Sequence, residues 1–193
     1  MKMKRISALF VLMATLLSFT ARAQYRQDHA SVEYMFKADL GYMPFIANLG
    51  DKGANGYYID DLRHIANANI INGINIRQDF FLGLGLGYGY VARPSNIGDG
   101  WHSAMAYANF DYRPIDAEWA PMVGLKLGAH YMMADSPYGN TLTPYIEVSC
   151  GINWFFRYFV RNMERNYKSL YFEMAFTYTQ QTLFIPLRIG IRL

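Results

Sequence analysis

Phe80-Phe-Leu-Gly-Leu-Gly-Leu-Gly-Tyr-Gly-Tyr-Val91 alternates bulky and absent side chains almost without a break. A strand sends successive side chains to opposite faces, so Leu82, Leu84, Leu86, Tyr88 and Tyr90 share one face and Gly83, Gly85, Gly87 and Gly89 the other. A helix would mix the two sets. In a small water-soluble barrel the rows of Leu and Tyr would have to fill a narrow interior while the glycines exposed backbone outside, and the volumes do not fit. With glycines inside and the bulky face toward lipid, they do. The likeness of Gly83–Gly89 to a dinucleotide loop is superficial, because the third glycine comes too early and no helix follows.

The same period of two recurs on either side. From Ser31 to Tyr42, Val32, Tyr34, Phe36, Ala38, Leu40 and Tyr42 oppose Glu33, Met35, Lys37, Asp39 and Gly41. Leu62–Arg77 follows less regularly, with Ile65 and Ile71 on its polar side and Asn72 on its apolar side, and Gln78-Asp79 joins it to Phe80–Val91 as a hairpin. Trp101–Arg113, Met122–Met133, Leu142–Trp154, Lys168–Thr179 and Thr182–Leu193 complete eight segments. An even set of alternating segments, each about ten residues long, predicts an all-β, eight-stranded antiparallel transmembrane β-barrel. Aromatic residues near strand ends, among them Tyr42, Phe80, Tyr88, Tyr90, Tyr112, Tyr131, Trp154 and Tyr178, suit the headgroup level.

At the N-terminus Lys2, Lys4 and Arg5 precede the apolar run Ile6–Phe19 and the pattern Ala21-Arg22-Ala23. That order predicts a signal peptide, residues 1–23, cleaved before Gln24, and the run is too short for a spanning helix. Residues 24–193 then form one domain, the barrel. Removing four of the 18 Lys and Arg leaves 14 against 15 Asp and Glu, so the basicity belongs to the export signal and is no nucleic-acid footprint. The one cysteine, Cys150, can neither close an internal disulfide nor carry a lipid near the signal. No later segment has the length of a helical span, and no peptidoglycan-binding domain is expected after the last strand.

The inward faces collect Glu33, Lys37, Asp39, Arg77, Asp111, Lys126, Glu147, Glu173, Arg188 and Arg192. Five acids balance five bases, which predicts a paired network joined by Tyr107, Asn109, Tyr145, Asn153 and Tyr171 and filling a narrow lumen. A selective ion path would call for an excess of one sign. Outside loops are expected at 46–61, 92–100, 134–141 and 180–181, and periplasmic connections at 78–79, 114–121 and 155–167. Residues 155–167 read either as a hairpin or as an interfacial helix with Arg157, Arg161 and Arg165 every four residues, the hairpin being preferred. In the loop Gly50–Asp61, the residues Asp51, Lys52, Tyr57, Tyr58, Asp60 and Asp61 form the candidate extracellular contact.

Neither a metal site nor a cofactor is expected. His64, His102 and His130 fall on different strands, each expected at a surface or interface, and His29 precedes the barrel. His102 and Ser103, as strand neighbours, point to opposite faces and cannot act as base and nucleophile.

The signal, the Gly-Leu-Gly-Leu-Gly-Tyr-Gly strand and the ending Ile185-Pro-Leu-Arg-Ile-Gly-Ile-Arg-Leu193 together resemble the small outer-membrane β-barrel (porin-like) proteins of Gram-negative Bacteroidota. The resemblance implies an integral outer-membrane location in contact with outer-membrane lipid. It also implies biogenesis through periplasmic chaperones and the barrel-assembly machinery, to whose C-terminal signal the ending is similar. Membership in such a family implies fold and location more than activity. The expected function is non-enzymatic, structural or in surface interaction. A narrow channel for small solutes is the alternative, and a lipid-acting enzyme a third reading.

Overall fold

The computed structural model describes residues 32–49, 62–77, 79–114, 119–133, 141–155 and 168–193. The expected signal peptide, the candidate contact residues Asp51 to Asp61, and residues 156–167 lie outside the described residues.

Among the described residues ten strands follow one another: β1 (Val32–Met43), β2 (Phe45–Asn48), β3 (His64–Ile76), β4 (Phe80–Arg93), β5 (Asn96–Tyr112), β6 (Trp119–Met132), β7 (Thr141–Phe155), β8 (Ser169–Thr179), β9 (Thr182–Phe184) and β10 (Leu187–Arg192). All their pairings are antiparallel. β1 pairs with β3, each later long strand with the next through β8, and β10 with both β8 and β1, which closes a ring of eight. Reciprocal bonds between the backbones of Phe36 and Leu193 seal the end of that seam.

The two remaining strands are continuations. Pro44 separates β1 from β2 and Ile185-Pro186 separates β9 from β10, because proline has no N–H for the ladder. Beyond the break β2 and β9 pair with each other, and the amide of Ile185 bridges it by donating to the carbonyl of Pro44 at 3.2 Å. The eighth segment is therefore interrupted rather than continuous. The expected loop 46–61 likewise begins as strand, in β2. Most of 92–100 is strand too, with Pro94-Ser95 as its turn. There the hydroxyl of Tyr90 donates to the carbonyl of Ile97 at 2.6 Å and ties the arms of the hairpin together.

The register sets the barrel's dimensions. Cross-strand partners lead from Lys37 through Ile71, Gly85, Tyr107, Gly128 and Tyr145 to Thr179 on β8, whereas the seam leads from Lys37 through Arg192 to Ser169 on the same strand. One circuit thus climbs from Ser169 to Thr179, a displacement of ten residues. At about 3.3 Å per residue and about 4.8 Å between strands, that gives a tilt of about 40° and about 8 Å from axis to backbone. An Arg or Tyr side chain reaches most of that way.

The faces separate cleanly. Among the described strand residues none that faces outward is Asp, Glu, Lys or Arg. Leu84, Leu86, Leu40 and Tyr34 are among the most exposed side chains, while Lys37, Asp111 and Glu147 are fully enclosed. The irregularity of β3 has a local cause. Ile65 and Ile71 are buried inside, and the outward Asn72 accepts a hydrogen bond from the hydroxyl of Tyr34 at 2.5 Å, which satisfies its carbonyl away from water. The glycine face of β4 receives neighbouring side chains, so that a Cβ on Gly85 would lie 2.3 Å from the ring of Tyr107.

Aromatic girdles flank the outward face. Phe80 packs on Tyr112 and Trp119 stacks on Trp154 at the end where β1 begins and β10 finishes. Tyr42 bonds His64 and Tyr88 bonds His102 at the far end. From Phe80 to Tyr90 the chain advances about 33 Å along the strand, or about 25 Å along the axis, which matches the height of about 25 Å of a membrane barrel's apolar band. Leu84→Arg, midway between the girdles, is expected to destabilise the barrel in lipid vesicles by about 2–4 kcal/mol, and Leu142→Arg beyond the far girdle by about 0–1 kcal/mol. Equilibrium denaturant titration measures both; equal losses would contradict the assigned depth.

Candidate functional site

The inward parity of β1, β5, β6, β7, β8 and β10 brings eight of the ten expected lumen charges into two clusters. In the first, Lys37 of β1 reaches across the lumen to Asp111 of β5 at 2.6 Å, and Arg192 of β10 meets the same carboxylate oxygen at 2.9 Å. Asn109 donates to the other oxygen of Asp111 at 2.8 Å. The ring of Tyr171 lies beside both cations, with Lys37 Nζ 5.1 Å and the Arg192 guanidinium 5.1 Å from its centroid.

The second cluster centres on Glu147. The guanidinium of Arg188 grips its two oxygens at 2.5 and 2.6 Å, the bidentate geometry in which such a pair is strongest. Lys126 lies 2.8 Å from both Glu147 and Glu173, and Arg188 also reaches Glu173 at 3.0 Å. Tyr145 and Thr177 each donate to Glu147 at 2.6 Å. Asp39 joins from β1, accepting from Asn69 at 2.6 Å and from Tyr171 at 2.8 Å, and stands 3.8 Å from Arg188. All eight charged side chains are buried, so their mutual pairing replaces the water they have lost.

Two of the ten expected positions differ. Arg77 is exposed in the turn after β3 with φ 52°, because the strand has ended and parity no longer governs it. Glu33 has the inward parity but sits at the terminal rim, only half-buried. In exchange the lumen holds Arg63 and Arg113, both buried. Arg113 donates to Asn75 at 3.0 Å near the ring of Phe155, and Arg63 lies 3.6 Å over the ring of Trp101. Arg113 follows Asp111 by two residues and Arg63 precedes Ile65 by two, so both lie within the expected segments Trp101–Arg113 and Leu62–Arg77 on the inward parity, although the expected set of lumen charges left them out.

The histidines divide between the faces. His64 and His102 stand outward in the far girdle. His130 is wholly buried in the lumen, contrary to the expected surface or interfacial place, because its neighbours Ala129 and Tyr131 take the outward positions of β6. Its Nδ1 lies 3.0 Å from the hydroxyl of Thr179. Above it Gln180, in a left-handed turn with Gln181, folds its side chain inward and donates to the carbonyl of His130 at 3.2 Å. Ser103 turns inward and donates to the carbonyl of Gly89, while His102 bonds Tyr88 outside, so the two do not meet. Cys150 faces outward on β7.

No family model matches the chain, and no curated protein matches it in sequence. In fold it is similar to the crystal structure of Neisserial surface protein A, with a TM-score of 0.58 and 14% identity over 84% of this chain and 98% of that one. The N-terminal β-barrel domain of Pseudomonas aeruginosa OprF aligns with a TM-score of 0.48 and 13% identity over 84% of this chain and 100% of that one. The fold is thus an eight-stranded antiparallel transmembrane β-barrel.

Glu147 is the acid most heavily bonded, and removing its charge leaves Arg188 and Lys126 with Glu173 and the more distant Asp39. Glu147→Gln is expected to cost about 3–5 kcal/mol of stability, while Glu147→Gln with Arg188→Met recovers most of the loss. Denaturant unfolding of the three proteins in one lipid checks this. Additive losses would show that the two side chains do not act as a pair.

Proposed function

We propose that this chain is an integral outer-membrane barrel, exported by its N-terminal segment, whose role is structural or in surface interaction and whose lumen is plugged. The observation that carries the reading is the pair of ties across the lumen, Lys37 to Asp111 and Arg188 to Glu147, in a barrel only about 8 Å in radius. A solute would have to break charge-assisted bonds in a water-poor interior, where a cation or carboxylate left alone is costly. The uncharged outward face and its two girdles support the membrane placement. One solved structure it resembles carries the name surface protein, which favours a role at the far end of the barrel. Separation of His102 from Ser103 by the strand wall favours a non-enzymatic role, and unchanged lipid profiles on expression and deletion would exclude lipid-acting chemistry.

A narrow path for small solutes is the second reading. It is favoured by polar atoms buried in the lumen without partners among the described residues, both side-chain polar atoms of Asn153, Ser149 Oγ and Glu173 Oε2 among them, which are places for water. Folded protein, identified by a mobility shift on gels before and after boiling, is expected to fractionate with the outer membrane and to leave planar bilayers silent. Steady conductance that changes in Lys126→Ala or Arg188→Ala would overturn the plug in favour of the channel.

A further inference from the structure

Beyond the charged middle, the far-end part of the lumen changes character. Met43, Met105 and Met132 line it there with Ile65, Val91 and Phe184, all members of one buried cluster, alongside the polar Ser103, Thr179 and Gln180. His130 enters this lining. It is the direct cross-strand partner of Met105 and stands two residues from Met132 on the same face of β6.

The hydrogen bonding of His130 is incomplete. Nδ1 is taken by Thr179, but Nε2 is fully buried and has no partner among the described residues. The two ring nitrogens diverge, so turning Nδ1 toward β8 turns Nε2 away from it; Met105 faces His130 in the register, its methyl leaning toward Gly87 and Gly89 of β4, and Met132 shares the inward face of β6. Met43 differs from these two, because its sulfur already accepts from the amide of Asn67 at 3.4 Å. An orphaned imidazole nitrogen on one inward face with two methionines is a costly arrangement for a site meant only to be filled with hydrocarbon.

We propose that His130 Nε2 and the sulfurs of Met105 and Met132 form a binding site for a soft, singly charged metal ion of the Cu(I) or Ag(I) type. Thioethers are polarizable donors that select such ions, and unbranched methionine can swing its sulfur onto a ligand. All three donors are neutral, so the ion brings a single charge into the lumen. Hard divalent ions are not served, since no group of three His, Cys, Asp or Glu suited to a metal occurs among the described residues. The donors come from β5 and β6, which is why no ligand spacing is visible along the chain.

Silver(I) tests the site without redox chemistry. The probe is Ag+ titrated calorimetrically into the folded chain in detergent micelles, in a Cys150→Ser background that removes the exposed thiol. One ion per chain is expected, with affinity reduced at least tenfold by His130→Gln and by Met105→Leu with Met132→Leu. The Leu pair nearly conserves volume and so keeps the test informative should His130→Gln fail to fold. No uptake by the folded Cys150→Ser protein would overturn the proposal and leave Nε2 to a buried water. Unchanged affinity in the Leu pair would equally overturn it, as binding elsewhere on the chain.

Discussion

A sheet that crosses lipid has no water with which to satisfy the amides and carbonyls of its edges, so it must close on itself. In this chain closure is the antiparallel pairing of Lys37–Tyr42 with Leu187–Arg192, the first and last strands of the ring. Everything else in the fold is compatible with that pairing or determined by it. A displacement of ten residues per circuit gives the tilt, the tilt gives the radius, and the radius decides how much side-chain volume the interior accepts. Glycines on β4 and at Gly190 are where that limit is felt most directly, since the rings of Tyr107 and Tyr171 occupy the space a larger residue would need.

The charged lumen follows from the same radius. Long cationic side chains on one wall reach carboxylates on another, and residues far apart in sequence meet over short distances, as Lys37 and Asp111 do. Such pairs do not guarantee net stability over a hydrocarbon filling, because each charge has surrendered its hydration. Their effect is on geometry. Arg188 holds Glu147 in a fixed fork while Tyr145, Thr177 and Lys126 take up much of its remaining hydrogen-bonding capacity, so the walls carrying β6, β7, β8 and β10 are tied in one register.

Much of this was legible in the residues because alternation is a rigid rule inside a strand. Leu82 to Tyr90 announced both faces of β4, and Ile65, Ile71 and Asn72 of β3 truly lie where parity puts them. The rule fails where strands stop. Arg77 was assigned inward by continuing a period past the end of β3, while Arg63 and Arg113, next to strand ends but within the expected segments and on their inward parity, were left out of the lumen set. His130 was expected at a surface from its residue type although its position on β6 already turned it inward. That the lumen charges would pair was expected from their balance, but which acid meets which base was not legible, since it depends on register accumulated around the whole ring. Nor was the extension of strand into 92–100, which rests on contacts such as Tyr90 to Ile97 between the arms of the hairpin.

The interruptions at Pro44 and at Ile185-Pro186 bear on the molecule before it is finished. Until the ring closes, β1 with β2 and β9 with β10 are the free margins of an open sheet, and an exposed margin is a template for joining another chain. Each margin carries a proline partway along, so neither offers a foreign strand an unbroken row of donors. The correct mate tolerates both breaks because they fall side by side, with Ile185 donating to Pro44 across the gap. The seam is therefore selective for itself: a flaw on one margin is met by a flaw on the other, and an unrelated strand lacks the matching irregularity.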